Sequence, residues 1–192
     1  MHPSTSLSFG RVAGRTVFMD LDSDLYFTAA AEEEQELIAS AAPAAASPIR
    51  ASLLEQQAAP AATLRDTLSI FVDLVRLRRA LRTERIADLV ERFALAPADR
   101  HPDCADASLV TLRFAAARKA APIPRSCLLD SLALIAQLAR RSIPSDLVFG
   151  VKLDPFAAHC WVQSGELLLS DRLEEIERFT PVRLVQCARA TR

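Results

Sequence analysis

Several features are missing from this sequence of 192 residues, and each absence narrows what the protein can be. No run approaches the ~18 consecutive apolar residues that span a bilayer, so no membrane partner is expected. The opening residues MHPSTSLSFGRVAGR carry no apolar core ahead of their arginines, which argues against a secretory signal and for a soluble, cytoplasmic protein. Basic excess is also lacking. The net charge is −1 and the pI about 6.3, far from the basic footprint of nucleic-acid binders, so nucleic acid is not an expected partner. There is no CxxC pair: Cys104, Cys127, Cys160 and Cys187 stand 23, 33 and 27 residues apart. That spacing suits no ordinary zinc site, and no metal is expected. In a reducing compartment these cysteines are free thiols. A GxxxxGK[ST] loop is absent, so no ATP site of that kind belongs to this chain. No internal repeat is found. What remains is a chain with 51% apolar and 24% charged residues, enough for a real core in one large or two small domains.

The local patterns read as an α+β protein. Residues 7–28 are strand-like, with Arg15 to Asp22 rich in β-branched and aromatic residues and Leu25 to Thr28 as a second hairpin arm. Thr28 is placed to cap a helix whose first turn holds Glu32, Glu33 and Glu34 and which runs to Ile38. Ala41 to Pro48 reads as a small-residue linker and Leu53 to Gln57 as a short helix. From Leu64 to Leu81 the apolar positions follow helical spacing, with Arg76, Arg78, Arg79 and Arg82 outside, as on a solvated face. Glu84 to Phe93 continues as a helix ended by Pro97. Ala98 to Asp106 reads as a loop and Leu109 to Ala120 as a helix. After Pro122 and Pro124 come a helix from Ser126 to Arg141 and a strand from Leu147 to Lys152. A second strand spans His159 to Gln163, Ser164-Gly165 forms a tight turn, and a third strand spans Glu166 to Ser170.

This last block can carry thiol chemistry. A nucleophilic thiol needs its thiolate favoured, a base within reach, and a group that fixes the imidazole. Ser126 stands at an N-cap position, which puts Cys127 in the first helical turn, where backbone amides and the helix dipole favour an anion. His159 opens a strand 32 residues after the cysteine, and Asp171 follows the next strand 12 residues later. Pairing through the Ser164-Gly165 turn returns Asp171 to the side of His159, where a carboxylate must be to orient the ring. Cys127, His159 and Asp171 are therefore the candidate nucleophile, base and acid. Trp161 shares the strand face of His159 and is a candidate for the substrate cleft.

The segments Cys127 to Leu134, Leu147 to Val151, Pro155 to Val162 (with His159-Cys-Trp-Val162) and Ser170-Asp171 resemble the B protein of lasso-peptide biosynthesis. That family is a leader peptidase of transglutaminase-like fold. The resemblance implies the same three roles for Cys127, His159 and Asp171. The family strand commonly reads His-Ala-Trp-Val. Here Cys160 replaces the alanine and is expected to pack on the face opposite His159. No glutamine of the papain sort precedes Cys127, so a second oxyanion donor is not identified.

Residues 7–82 resemble, more loosely, the family's leader-recognition domain, a winged-helix-like unit of three strands and three helices. The match is best over Val17 to Phe27, a strand pair with an Asp-rich turn. Leader binding by strand addition is then implied, with Leu25, Tyr26 and Phe27 on the strand and Phe71, Val72 and Val75 on the third helix as candidates. Neighbouring strand residues face opposite ways, so not all can line one groove.

The expected organisation is a recognition domain at 1–82, a helical connector at 83–97, and a transglutaminase-like, papain-like helix-plus-antiparallel-sheet domain at 98–192. Implied partners are a precursor peptide and an asparagine-synthetase-like lasso cyclase. No cofactor is expected on this chain, and any ATP requirement would lie with the cyclase. Three other readings stay open: an acyltransferase that accepts amines, a non-catalytic peptide-binding adaptor, and a purely structural helical adaptor.

Overall fold

A computed structural model describes residues 6–56, 60–94 and 104–187. Among these residues the strands form two sheets, and helices pack around them in a mixed α+β arrangement.

The first sheet begins with β1 (Leu7–Val12) and β2 (Arg15–Asp20), antiparallel across a turn at Ala13-Gly14. Both turn residues have positive φ, which glycine accepts freely at position 14. β3 (Leu25–Phe27) pairs with β2 after a turn held by Asp20, whose carboxylate accepts from the Asp22 N–H at 3.1 Å and the Ser23 hydroxyl at 2.6 Å. The expected helix is α1 (Ala31–Ser40), but Ala30 occupies its N-cap and no side chain caps it, so Thr28 does not serve. The dipole is instead met by the three first-turn glutamates. Part of the Ala41–Pro48 linker is itself a strand: β4 (Ala42–Pro43) runs parallel to β1 and gives the sheet the order β3-β2-β1-β4. The expected three strands and three helices are thus joined by a fourth strand.

β5 (Ala51–Ser52) leads into α2 (Leu53–Gln56). Then α3 (Leu64–Thr83) opens with a capping box: Thr63 Oγ1 accepts from the Asp66 N–H at 3.1 Å while the Asp66 carboxylate accepts from the Thr63 N–H at 3.3 Å. α4 (Ile86–Glu91) lies within the expected second helix, while Pro97 falls outside the described residues. α5 (Cys104–Ala120) starts inside the stretch read as a loop, five residues before Leu109.

α6 (Cys127–Ala139) is buried almost throughout from Leu129 onward. β6 (Ser145–Leu153) and β7 (Phe156–Ser164) form a long hairpin across a turn with a cis Asp154–Pro155 bond. The third expected strand shrinks to β8 (Leu167–Leu168), paired with the end of β7. After α7 (Leu173–Ile176), β9 (Thr180–Cys187) pairs with the other edge of β6. β9 was not anticipated. Pro181 argues against a strand, but it sits at the β-bulge opposite Gly150, where a missing N–H costs least. The sheet order is β5-β8-β7-β6-β9, with α6 packed against β7.

One hydrophobic cluster links these layers, from Val12, Val17 and Met19 in the first sheet through Leu74, Leu132 and Ile135 to Val162 and Val182. α3, the third helix of the anticipated recognition unit, packs on α5 and α6. Its buried Asp73 accepts from Gln137 Nε2 at 2.8 Å and pairs with the guanidinium of Arg140, both on or at the end of α6. Arg76, Arg78, Arg79 and Arg82 are exposed.

β1 packs against β9 so closely that a Cβ at Gly10 would lie 2.2 Å from the Pro181 carbonyl oxygen. Because the obstacle is backbone, the Gly10→Ala variant must part the two strands. Its expected cost is about 1–3 kcal/mol, read as a lower midpoint in urea unfolding. An unchanged midpoint would contradict this contact.

Candidate active site

Cys127 opens α6, after Ser126 in extended conformation at the N-cap. The position agrees with the sequence reading, yet the Ser126 side chain makes no capping hydrogen bond, so the first-turn amides keep their free donors. His159 lies in β7. Pairing of Gln163 with Leu168 and Ser164 with Leu167 continues through a 2.9 Å bond from the Leu169 N–H to the Val162 carbonyl. This returns the chain past His159, and His159 Nε2 meets Asp171 Oδ1 at 3.1 Å. The second ring nitrogen is left for Cys127, which shares the cleft with His159 and whose thiol the imidazole acidifies.

Asp171 is held from three sides. Its second carboxylate oxygen accepts from Ser170 Oγ, which in turn accepts from the Val162 N–H at 2.9 Å. Its own carbonyl accepts from Ser52 Oγ in β5 at 2.7 Å. In the sequence, Ser170 is quoted only within the Ser170-Asp171 motif, with no role, and Ser52 is not singled out. Ser170 stands beside the acid and was within reach of local inspection, whereas Ser52 is 119 residues away with no local signal. A family model described as the transglutaminase-like superfamily matches residues 71–184, more than half of the chain and inclusive of Cys127, His159, Ser170 and Asp171.

The chain belongs to the transglutaminase-like superfamily. No curated protein and no solved structure matches it. Membership points to thiol-based peptidase or acyl-transfer chemistry. The match begins within α3 and ends within β9, so the first sheet lies outside it.

The electrostatics of the transglutaminase-like site favour separated charge. The Cys127 thiol is pulled down from 9.0 to about 4, first by a hydrogen bond from the Cys160 thiol and next by the one from His159, against the opposing effect of burial. His159 is pushed up from 6.5 to about 10, chiefly by its bond to Asp171 and then by Cys127. Between those limits the pair is thiolate and imidazolium.

The cleft around the sulfur has a volume of about 480 Å³. Leu54, Asp130, Ser131 and Glu175 line it together with the three converging side chains. Trp161 does not line it, contrary to expectation. It shares the face of His159, with ring centroids 6.3 Å apart, but is only 2% exposed. Its indole packs under Gly150, where a Cβ would come within 2.6 Å of the ring, and its N–H donates to Gln163 Oε1 at 3.0 Å. The imidazole's other aromatic neighbour is Phe179, at 5.2 Å and unforeseen.

The three strand candidates for leader binding divide between the two faces of β3, as strand alternation requires. Leu25 and Phe27 are 58% and 36% exposed on one face of β3, while Tyr26 points inward against the core. Tyr26 meets Phe156 edge-on at 6.1 Å, and burial holds its phenol neutral. Phe71 is exposed and Val72 and Val75 are half-buried on α3, whose packing partners are α5 and α6, whereas β3 pairs with β2.

Because the folded thiol pKa lies below the free value, the thiolate survives as pH falls from 9.0 until it nears about 4. Iodoacetamide is expected to alkylate Cys127 at an undiminished rate across that range, and His159→Ala should raise the inflection. A wild-type rate that collapses below pH ~8.5, as for a free thiol, would exclude the ion pair.

Proposed function

We propose that this protein is a cytoplasmic cysteine peptidase that removes the leader from a ribosomally made lasso-peptide precursor before macrolactam closure. One observation carries the reading: a cysteine at a helix start lines one cleft with a histidine and an aspartate, and Asp171 lies 3.1 Å from the ring. Cys127 is the nucleophile, His159 the acid–base group and Asp171 the residue that orients it.

In the proposed reaction the Cys127 thiolate attacks the scissile carbonyl. The tetrahedral oxyanion is met by first-turn amides of α6, left free by the uncapped Ser126. The His159 imidazolium then gives its proton to the leaving amine, so C–N cleavage releases a neutral amine and leaves a thioester. Water, deprotonated by His159, hydrolyses the thioester and restores the thiol. Asp171 keeps Nε2–H directed at itself throughout, so the other nitrogen does the proton transfer.

The resemblance of Val17 to Phe27 to the leader-recognition strands supplies the substrate. β3 is an edge strand, paired on one side with β2. A leader added along its other edge would gain backbone hydrogen bonds and, through docking, a high local concentration of the scissile bond. Leu25 and Phe27 are the exposed side chains placed to select it. The freed amine would pass to an asparagine-synthetase-like cyclase, which would hold any ATP.

The test incubates the protein, with and without the cyclase, with candidate precursor peptides, followed by mass spectrometry. Leader loss is expected with wild type and none with Cys127→Ala. Asp171→Asn should slow release roughly 10²–10⁴-fold, through loss of the ring's orientation. Equal processing by wild type and Cys127→Ala would refute the peptidase reading. A product cross-linked to an added amine, in place of free acid, would move it to the acyltransferase reading.

A further inference from the structure

Cys160 is a nucleophile that the proposed hydrolysis does not use. It follows His159 in β7, so its side chain turns to the opposite face of the strand, against α6. There it meets Ser131: the two side chains are 3.9 Å apart, and Ser131 Oγ donates to the Cys160 carbonyl at 3.3 Å. Ser131 is four residues beyond Cys127 on α6, hence on the same helix face one turn away. A strand residue seated on Ser131 is therefore seated beside Cys127. Both cysteines line one cavity, and Cys160 is the neighbour that most strongly acidifies the Cys127 thiol. Their access differs: Cys127 is exposed and Cys160 is 3% exposed.

We infer that Cys127 and Cys160 form a reversible disulfide under peroxide, a covalent modification site that shuts off the nucleophile and protects it from irreversible oxidation. This rests on Cys127 being a reactive thiolate, as the proposed function requires. In the first step the Cys127 thiolate attacks a hydroperoxide oxygen. The O–O bond breaks, an S–O bond forms, and sulfur gives two electrons to the peroxide, which leaves as an alkoxide or hydroxide. In the second step the Cys160 sulfur attacks the sulfenic sulfur. The S–S bond forms, the S–O bond breaks, and the departing hydroxide takes the Cys160 proton as water. A dithiol reverses the change, releasing both thiols as it becomes a disulfide itself.

The order of events follows from the site. While Cys127 is a thiolate, its hydrogen bond and charge, with burial, hold the Cys160 thiol well above its ordinary pKa. Oxidation of Cys127 to the neutral sulfenic acid removes that charge and frees Cys160 to attack. An exposed low-pKa thiol with a second thiol behind it is the arrangement that favours disulfide over sulfinic acid.

The experiment treats the full-length protein with hydrogen peroxide and maps its peptides without reduction. The expected result is a Cys127–Cys160 linked pair lighter by two hydrogens, lost on adding dithiothreitol, which also restores iodoacetamide labelling of Cys127. In Cys160→Ala, Cys127 should instead gain two oxygens, and dithiothreitol should recover no labelling. If that variant does not fold, the wild-type map decides. Wild-type Cys127 found as sulfinic acid, paired with Cys104 or Cys187, or unoxidised would overturn the inference. Low-pH alkylation of Cys127 separates the failures. If it persists without the disulfide, only this inference falls. If it too is absent, the thiolate reading falls with it.

Discussion

The 3.1 Å contact between His159 and Asp171 is the constraint around which the site is arranged. It assigns one ring nitrogen to the carboxylate and leaves the other for sulfur. Without it the imidazole could rotate, and the negative charge on Cys127 would lose its neighbouring cation. The contact itself depends on backbone pairing. Asp171 arrives because β8 pairs with the end of β7, and its orientation is then fixed by Ser170 beside it and Ser52 from a distant strand. A carboxylate restrained at both side-chain oxygens and at its own carbonyl has little freedom to swing toward solvent.

The sulfur's position has a different origin. α6 is apolar on nearly every face beyond its first turn, so it is buried by the sheet on one side and by α3 and α5 on others. Its polar start is therefore the part that reaches the surface. Asp73 on α3 clamps the far end of the same helix through Gln137 and Arg140. A buried carboxylate is costly unless paired, and here its partners fix how α3 crosses α6. That is why α3, which the sequence pattern assigns to the amino-terminal unit, lies on the helix that carries the cysteine.

Local periodicity made the β6–β7 hairpin, the turn after it and the long helices legible, and with them the convergence of Cys127, His159 and Asp171. The α+β class followed from the same block, whereas the transglutaminase-like fold was implied only by that block's resemblance to a known family. What escaped was mostly non-local. β4 and β5 have two residues each and exist only through their partners, and no two-residue period can be read. β9 was hidden by Pro181, harmless at a bulge that only the pairing with β6 creates. Trp161 was placed on the correct face, but that face is covered there by Gly150 and the region of Phe179, which the strand pattern cannot show. For Cys160, alternation gave the correct side of the strand. Its proximity to Cys127 needed the packing of α6 on β7.

The turn at Gly165 has a further consequence. One residue added to or removed from the twelve-residue interval between His159 and Asp171 would shift the pairing of β8 on β7 and carry Asp171 out of line with the ring. That interval works as a ruler, and length variation within this fold has to be absorbed elsewhere, for example in the connection at Asp154–Pro155. Drift in amino-acid identity along the interval is cheap by comparison; drift in its count is not.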